Sequence, residues 1–162
     1  MKCHAFAAVF LLSTSGAFAQ VGNPLVTPAT LARTVCSTAV TPQPGGKPGL
    51  SWIQLQTPTA SYLLPTKSRQ FYALSPEQLK ADSAVVGHEV TIADYEMDHI
   101  WPIEVGGHPY EPKNLRLLLA QGPSGARAKG TVVKKVHTRL CAGSITLEQA
   151  AACFKGDWTS CK

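Results

Sequence analysis

YEMDHIWPIEVGGHPYEPKNL, residues 95–115, sets an acid beside a histidine, then a proline, a glycine pair and an asparagine. The residues leading into it, EVTIADYEMDHI at 89–100, read as extended structure. Val90, Ile92, Tyr95, Met97 and Ile100 supply the β-prone or apolar side chains, and Asp94 is a natural break. Pro102 limits continuation of that strand, and Gly106-Gly107 permits a tight reversal within a turn-rich loop that reaches Pro112. Residues 114–119 then read as a returning strand. Asn114 at its start can bond the loop backbone through both its carbonyl and its amide.

Working outward, apolar side chains return at helical spacing beyond Ala126, at Ala128, Val132, Val136 and Leu140, with Val133 alongside. That stripe predicts a helix with Lys129, Lys134, Lys135 and Arg139 largely off its apolar face. Gly143 suits the helix end, and the T-L-E-Q box from Thr146 opens another helix running to about Phe154. From Glu89 onward the order is strand, loop, strand, helix, helix, a small α+β arrangement. Upstream, SPEQLKADSAVVG at 75–87 predicts a short helix capped by Ser75, with Pro76 at its first position, Gln78 completing the box and Gly87 ending it. Residues 20–60 hold six of the twelve prolines and few charges. TPQPGGKPG at 41–49 cannot be a regular helix or a central strand. This predicts an irregular N-terminal arm, tied to the body through Cys36, with Trp52, Ile53 and Leu55 as a short extended piece.

The first nineteen residues read as a secretory signal. Lys2 gives a positive start, residues 5–12 form an apolar run, and Ala17-Phe18-Ala19 offers small residues for cleavage before Gln20. Cys3 precedes the apolar run, the wrong place for a lipoprotein anchor, and no later stretch approaches the ~20 apolar residues of a membrane span. The expected organisation is signal 1–19, arm 20–60 and one domain 61–162. The expected product is secreted or periplasmic, free of the membrane after processing, and monomeric. Cys36, Cys141, Cys153 and Cys161 survive processing and suggest two disulfides, for which four cysteines allow three connectivities. Their loose spacing, without a CxxC, disfavours a zinc site. The formal net charge is +5, with no acid between Glu111 and Glu148 although Lys113, Arg116, Arg127, Lys129, Lys134, Lys135 and Arg139 all fall there. Such a run suits a polyanion such as nucleic acid, or simply a solvated helix face.

The pattern Tyr95-Glu96-x-Asp98-His99-Ile100-x-Pro102-x-Glu104-x-Gly106-Gly107 followed by Asn114-Leu115 resembles the HNH, or ββα-metal, nuclease motif. It is similar in particular to a group of small exported bacterial proteins with a YEvDHLiPLElGG-type core. Ala126-Arg127-Ala128-Lys129, the segment 140–147, Ala150 and Trp158 match that group's helix and tail. The resemblance covers about residues 95–158. It implies a disulfide-bonded ββα-metal core with C-terminal helices and an endonuclease hydrolysing phosphodiesters with a divalent metal, magnesium first, manganese or zinc as alternatives.

Residue by residue, the resemblance makes His99 the general base and Asp98 the metal ligand, with Asn114 holding the loop that carries His99. Neighbours on a regular strand point to opposite faces, so Asp98 and His99 converge only where the strand distorts. The last motif position, normally histidine or asparagine, is Arg127, whose guanidinium cannot ligate a metal. His137, ten residues along the helix, lies about 15 Å away and does not replace it. Magnesium could be held by Asp98 with Glu96 or Gln121 plus waters, leaving Arg127 to clamp a phosphate. His108 reads as a solvated loop residue, and Trp52, Trp101 and Trp158 as packing residues. The similar proteins carry one cysteine in the arm and one before the turn, implying Cys36–Cys141 and hence Cys153–Cys161. Two further readings stand beside the nuclease: a catalytically degenerate module that binds nucleic acid or another polyanion, and an envelope protein using the fold only as scaffold.

Overall fold

A computed structural model describes residues 28–37, 53 and 56–161. At its centre is an antiparallel hairpin, β1 (Tyr95–His99) and β2 (Leu115–Leu119), in register from Tyr95↔Leu119 through Asp98↔Arg116 to His99↔Leu115. Residues 89–94, expected to be extended, form no strand, and β1 begins only after the break at Asp94. The Asp94 carboxylate accepts from the Thr91 N–H at 2.8 Å and from the Thr91 hydroxyl at 3.0 Å, folding Ile92–Asp94 into a single 3-10 turn. Two more such turns, Ile103–Val105 and Pro112–Asn114, shape the connection between the strands.

Helices whose bounds lie within the described residues accompany the hairpin. These are α1 (Pro28–Val35), α2 (Ala60–Phe71), α3 (Pro76–Val86), α4 (Ala126–Cys141) and α5 (Leu147–Lys155). The expected order of strand, loop, strand, helix, helix is therefore present. Ser75 caps α3 by accepting the Gln78 N–H at 3.2 Å, while the Gln78 side chain turns forward to Asp82 instead of back to the cap. Thr146 and Gln149 make the reciprocal box that opens α5.

Two elements depart from the sequence expectation. The arm is not wholly irregular, because Pro28–Val35 is a helix. Pro28 stands at its first position, where its missing N–H costs nothing, and Leu31 and Val35, one turn apart, both bury. Ile53, expected in an extended piece, is helical, and its carbonyl accepts the Thr57 N–H at 2.9 Å; Trp52, Leu55 and the run 41–49 lie outside the described residues. Helix α2 carries Pro65 within it, the residue that hides it from a reading by helix breakers.

The core has two parts. Leu31, Val35, Val105, Val133, Val136, Leu140, Leu147, Ala150, Phe154 and Trp158 join α1, α4, α5 and the hairpin loop. Val90, Tyr95 and Leu119, with Phe71, Leu74, Leu79, Val86 and Leu117 against them, join α2 and α3 to the hairpin. Gln70 on α2 fastens the second part by bonding the backbone of β2 at Leu115 and Leu117. Disulfides Cys36–Cys141 and Cys153–Cys161 close the first part, the pairing that the resemblance implied.

The buried stripe of α4 is rotated from the expected one. It consists of Lys129, Val133, Val136 and Leu140, and Lys129, expected off the apolar face, is 1% exposed. The physical reason lies in what its ammonium reaches.

Candidate functional site

Lys129 runs beneath the end of β1. Its Nζ donates to Asp98 Oδ2 at 2.7 Å, to the His99 carbonyl at 2.6 Å and to the Ile100 carbonyl at 3.2 Å. An ammonium has three donors, and all three are used. Burial pushes the Lys129 pKa down, while the Asp98 carboxylate opposes that shift through its hydrogen bond and charge. The same Asp98 oxygen also accepts from Arg116 Nε at 2.9 Å, across the hairpin where the register sets the two residues opposite each other. Asp98 is thus a carboxylate between two cations.

Asn114 clamps the loop. Its Oδ1 accepts the Trp101 N–H at 2.8 Å, and its Nδ2 donates to the carbonyls of Trp101 and His108, both at 2.9 Å. The chain around it is close-packed, with the Gly107 N–H on the Pro102 carbonyl at 2.9 Å and the Trp101 indole N–H on the Val105 carbonyl at 2.8 Å. Trp101 and Trp158 serve as packing residues, Trp101 with the Lys155 ammonium 4.6 Å from its ring centroid. His108 is exposed, and its Nδ1 accepts the Tyr110 N–H at 3.1 Å.

His99 is half-buried, with Nε2 2.9 Å from the Pro109 carbonyl. A carbonyl accepts and does not donate, so Nε2 carries a proton, and in the neutral ring the lone pair is on Nδ1. The strand keeps its register through His99↔Leu115, so Asp98 and His99 leave it on opposite faces. Asp98 faces α4; His99 faces the loop at Pro109. Lys129 is their common partner, through a side chain in one case and a backbone carbonyl in the other.

Arg127 stands exposed in the first turn of α4, its backbone N–H on the Ala120 carbonyl at 3.2 Å. Lys134, Lys135 and Arg139 are exposed further along. At 100° per residue these four occupy one side of the helix, opposite Lys129, Val133, Val136 and Leu140.

The residues around Asp98 do not fit a divalent ion. An ion on its carboxylate would meet two cations already there, and Arg127 at the last motif position has no lone pair to offer. Gln121 lines a cleft with Gln78 and Asp82 on the α3 side. Among the described residues, the one group of three clustered His, Cys, Asp or Glu ligand atoms is Cys36, His137 and Cys141, and there the two cysteines are joined to each other.

Sequence reasoning left Lys129 and Arg116 in the general pool of basic residues. Arg116 was reachable by counting the hairpin back from its loop, which sets it opposite Asp98. Lys129 closes the Ala126-Arg127-Ala128-Lys129 match to the similar group, but nothing in that match names its partner, and a lysine in a basic helix otherwise reads as surface. No known protein family, no curated protein and no solved structure matches this chain.

Proposed function

We propose that the chain is an exported module of ββα-metal (HNH-like) architecture that binds nucleic acid or another polyanion and whose Asp98 centre is catalytically degenerate. The observation that carries this reading is the segregation of charge on α4. Lys129 is buried against Asp98, while Arg127, Lys134, Lys135 and Arg139 are exposed together on a helix of 16 residues. No acid occurs in sequence between Glu111 and Glu148. A rod of about 24 Å with basic side chains along one side follows a phosphate backbone without needing base contacts. Export to an oxidising compartment, secreted or periplasmic, is supported by the two disulfides. No helix among the described residues is long and apolar enough to cross a membrane.

The test is anisotropy of labelled single- and double-stranded DNA and RNA against the oxidised mature protein over a range of salt. Affinity should fall with salt, and Arg127→Ala, Lys134→Ala and Lys135→Ala should each reduce the logarithmic slope by up to about 0.9 on duplex DNA. Binding that ignores salt, or slopes that ignore these substitutions, would sink the reading.

A second reading, the HNH-type endonuclease, is favoured by the His99 tautomer. With Nε2–H held by the Pro109 carbonyl, Nδ1 is able to take a proton from water. Plasmid nicking with magnesium, manganese and zinc in turn decides it. Cleavage lost in His99→Ala and weakened in Arg127→Ala would establish the nuclease in place of the binding module.

A further inference from the structure

Three oxygens converge on one point beneath β1. Asp98 Oδ2, the His99 carbonyl and the Ile100 carbonyl lie 2.7, 2.6 and 3.2 Å from Lys129 Nζ. One oxygen carries charge, and the other two are the ends of backbone dipoles aimed at the same place. A carboxylate with two carbonyls is ligand chemistry for a hard cation. What fills it is the tip of a side chain that is 1% exposed.

The surroundings leave room for no more than a single positive charge at that point. Arg116 shares the Asp98 oxygen from the opposite strand and opposes the charged amine, while the carboxylates of Asp98 and Glu104 favour it. Two positive charges therefore already face Asp98 with Glu104 nearby, which leaves little room for the double charge of a divalent ion. The Phe154 ring lies alongside, its centroid 5.7 Å from Nζ.

We propose that Lys129 supplies the cation of this site as a tethered ammonium, and that the oxygen cage it fills is a binding site for a small primary alkylammonium ion once the tether is cut. This rests on the metal-free reading of the Asp98 centre given above. It concerns the buried side of α4, however, and not the exposed side that would meet a polyanion. Lys129 is here a positioning residue. By joining Asp98 to the carbonyls of His99 and Ile100, it fixes the end of β1, from which His99 projects, without any exchangeable ion.

Lys129→Ala tests this directly, because it removes three methylene carbons and the ammonium, the outline of n-propylammonium. The unfolding midpoint of the variant should fall, and n-propylammonium should raise it in proportion to the logarithm of its concentration, as for any ligand of the native state. Tetramethylammonium at the same ionic strength has no N–H to donate and should not raise it. The wild type should respond to neither. If Lys129→Ala does not fold alone, the same series is read as recovery of near-ultraviolet circular dichroism on refolding. Adding Asp98→Asn to the variant should weaken the rescue at least tenfold. Equal effects of the two ammonium ions would overturn the proposal. So would magnesium or manganese raising the wild-type midpoint in a manner lost in Asp98→Asn. Anisotropy on the same samples keeps the two ideas apart: Lys134→Ala should weaken polyanion binding while leaving the propylammonium rescue of Lys129→Ala unchanged.

Discussion

Lys129 Nζ and Asp98 Oδ2 are 2.7 Å apart, joining the buried side of α4 to the end of β1. Desolvating this pair is costly, and the cost is offset because every ammonium proton and the bonded carboxylate oxygen have partners. Removing one partner leaves the other buried and unmatched. Lys129→Met should therefore lower stability by about 3–5 kcal/mol in urea denaturation. Asp98→Asn should cost less, since an amide oxygen still accepts. The double variant should lose less than the sum of the two, and strict additivity would mean the contact contributes nothing.

Asn114 is the next test. Alanine there strands the Trp101 N–H and the carbonyls of Trp101 and His108. Each group left unpaired costs roughly 1–3 kcal/mol, moderated where water reaches it. Asn114→Asp keeps the acceptor for Trp101 but sets a carboxylate oxygen against two carbonyls where both donors were, so it should be no more stable than alanine. Equal denaturation midpoints for all three proteins would show that the loop does not depend on this side chain.

Local rules made the hairpin and the last two helices legible, because caps, turn residues and alternation agreed there. Thr146 with Gln149, Ser75 with Pro76, and the Gly106-Gly107 reversal each act within a few residues of themselves. Long-range partners were not legible. Pro65 argues against a helix that tertiary contact nevertheless supports, with Gln70 on β2. Proline density masked α1, whose Leu31 and Val35 find their neighbours across the chain on α4 and α5. The candidate site divides in the same way. Asn114 bonds the loop backbone as its sequence position suggested, while the partners of Asp98 come from Arg116 and Lys129, 18 and 31 residues away.

The disulfides should differ in weight. Cys36–Cys141 spans 105 residues and Cys153–Cys161 spans 8. Loop-closure entropy assigns them about 4.8 and 2.5 kcal/mol before any native-state strain. Replacing Cys36 and Cys141 together by alanine should cost about 2 kcal/mol more than replacing Cys153 and Cys161, and should also release α1 from α4. Faster amide exchange in α1 in the first variant alone would confirm the second effect, and equal costs would contradict the first.

Tyr95 should give the protein an alkaline weakness. Its hydroxyl donates to Asp82 Oδ2 at 2.6 Å, and burial first, then that carboxylate, pushes its pKa well above the ordinary 10.0. Its contribution is fully present below pH 10. Above that, the unfolded chain has lost a proton that the folded chain keeps, so stability falls as pH rises. Lys129 acts in the opposite sense. Its lowered folded value means that stability rises with pH between that value and the ordinary 10.5. Tyr95→Phe removes only the first effect. The difference in unfolding free energy between wild type and Tyr95→Phe should shrink steadily above pH 10, and a constant difference would refute the assignment.

Two glycines should respond oppositely to alanine. At Gly107 an added Cβ would stand 1.7 Å from the Trp101 carbonyl oxygen and 2.9 Å from that of Pro102, so the loop backbone must part to admit it. The loop is held by Asn114 on one side and by the Gly107 N–H on the other, and neither yields without losing hydrogen bonds. Gly107→Ala should cost about 1–3 kcal/mol, the ordinary range for overpacking, or more. Gly130 lies within α4, and a Cβ added there would meet nothing within 4 Å beyond the helix's own backbone. Alanine there relieves the entropy of a helical glycine and should stabilise by up to about 1 kcal/mol. Urea midpoints of the two variants, each measured against wild type, should move in opposite directions. A tolerated Gly107→Ala would show that the approach of this loop to the Trp101 carbonyl is not required for the fold.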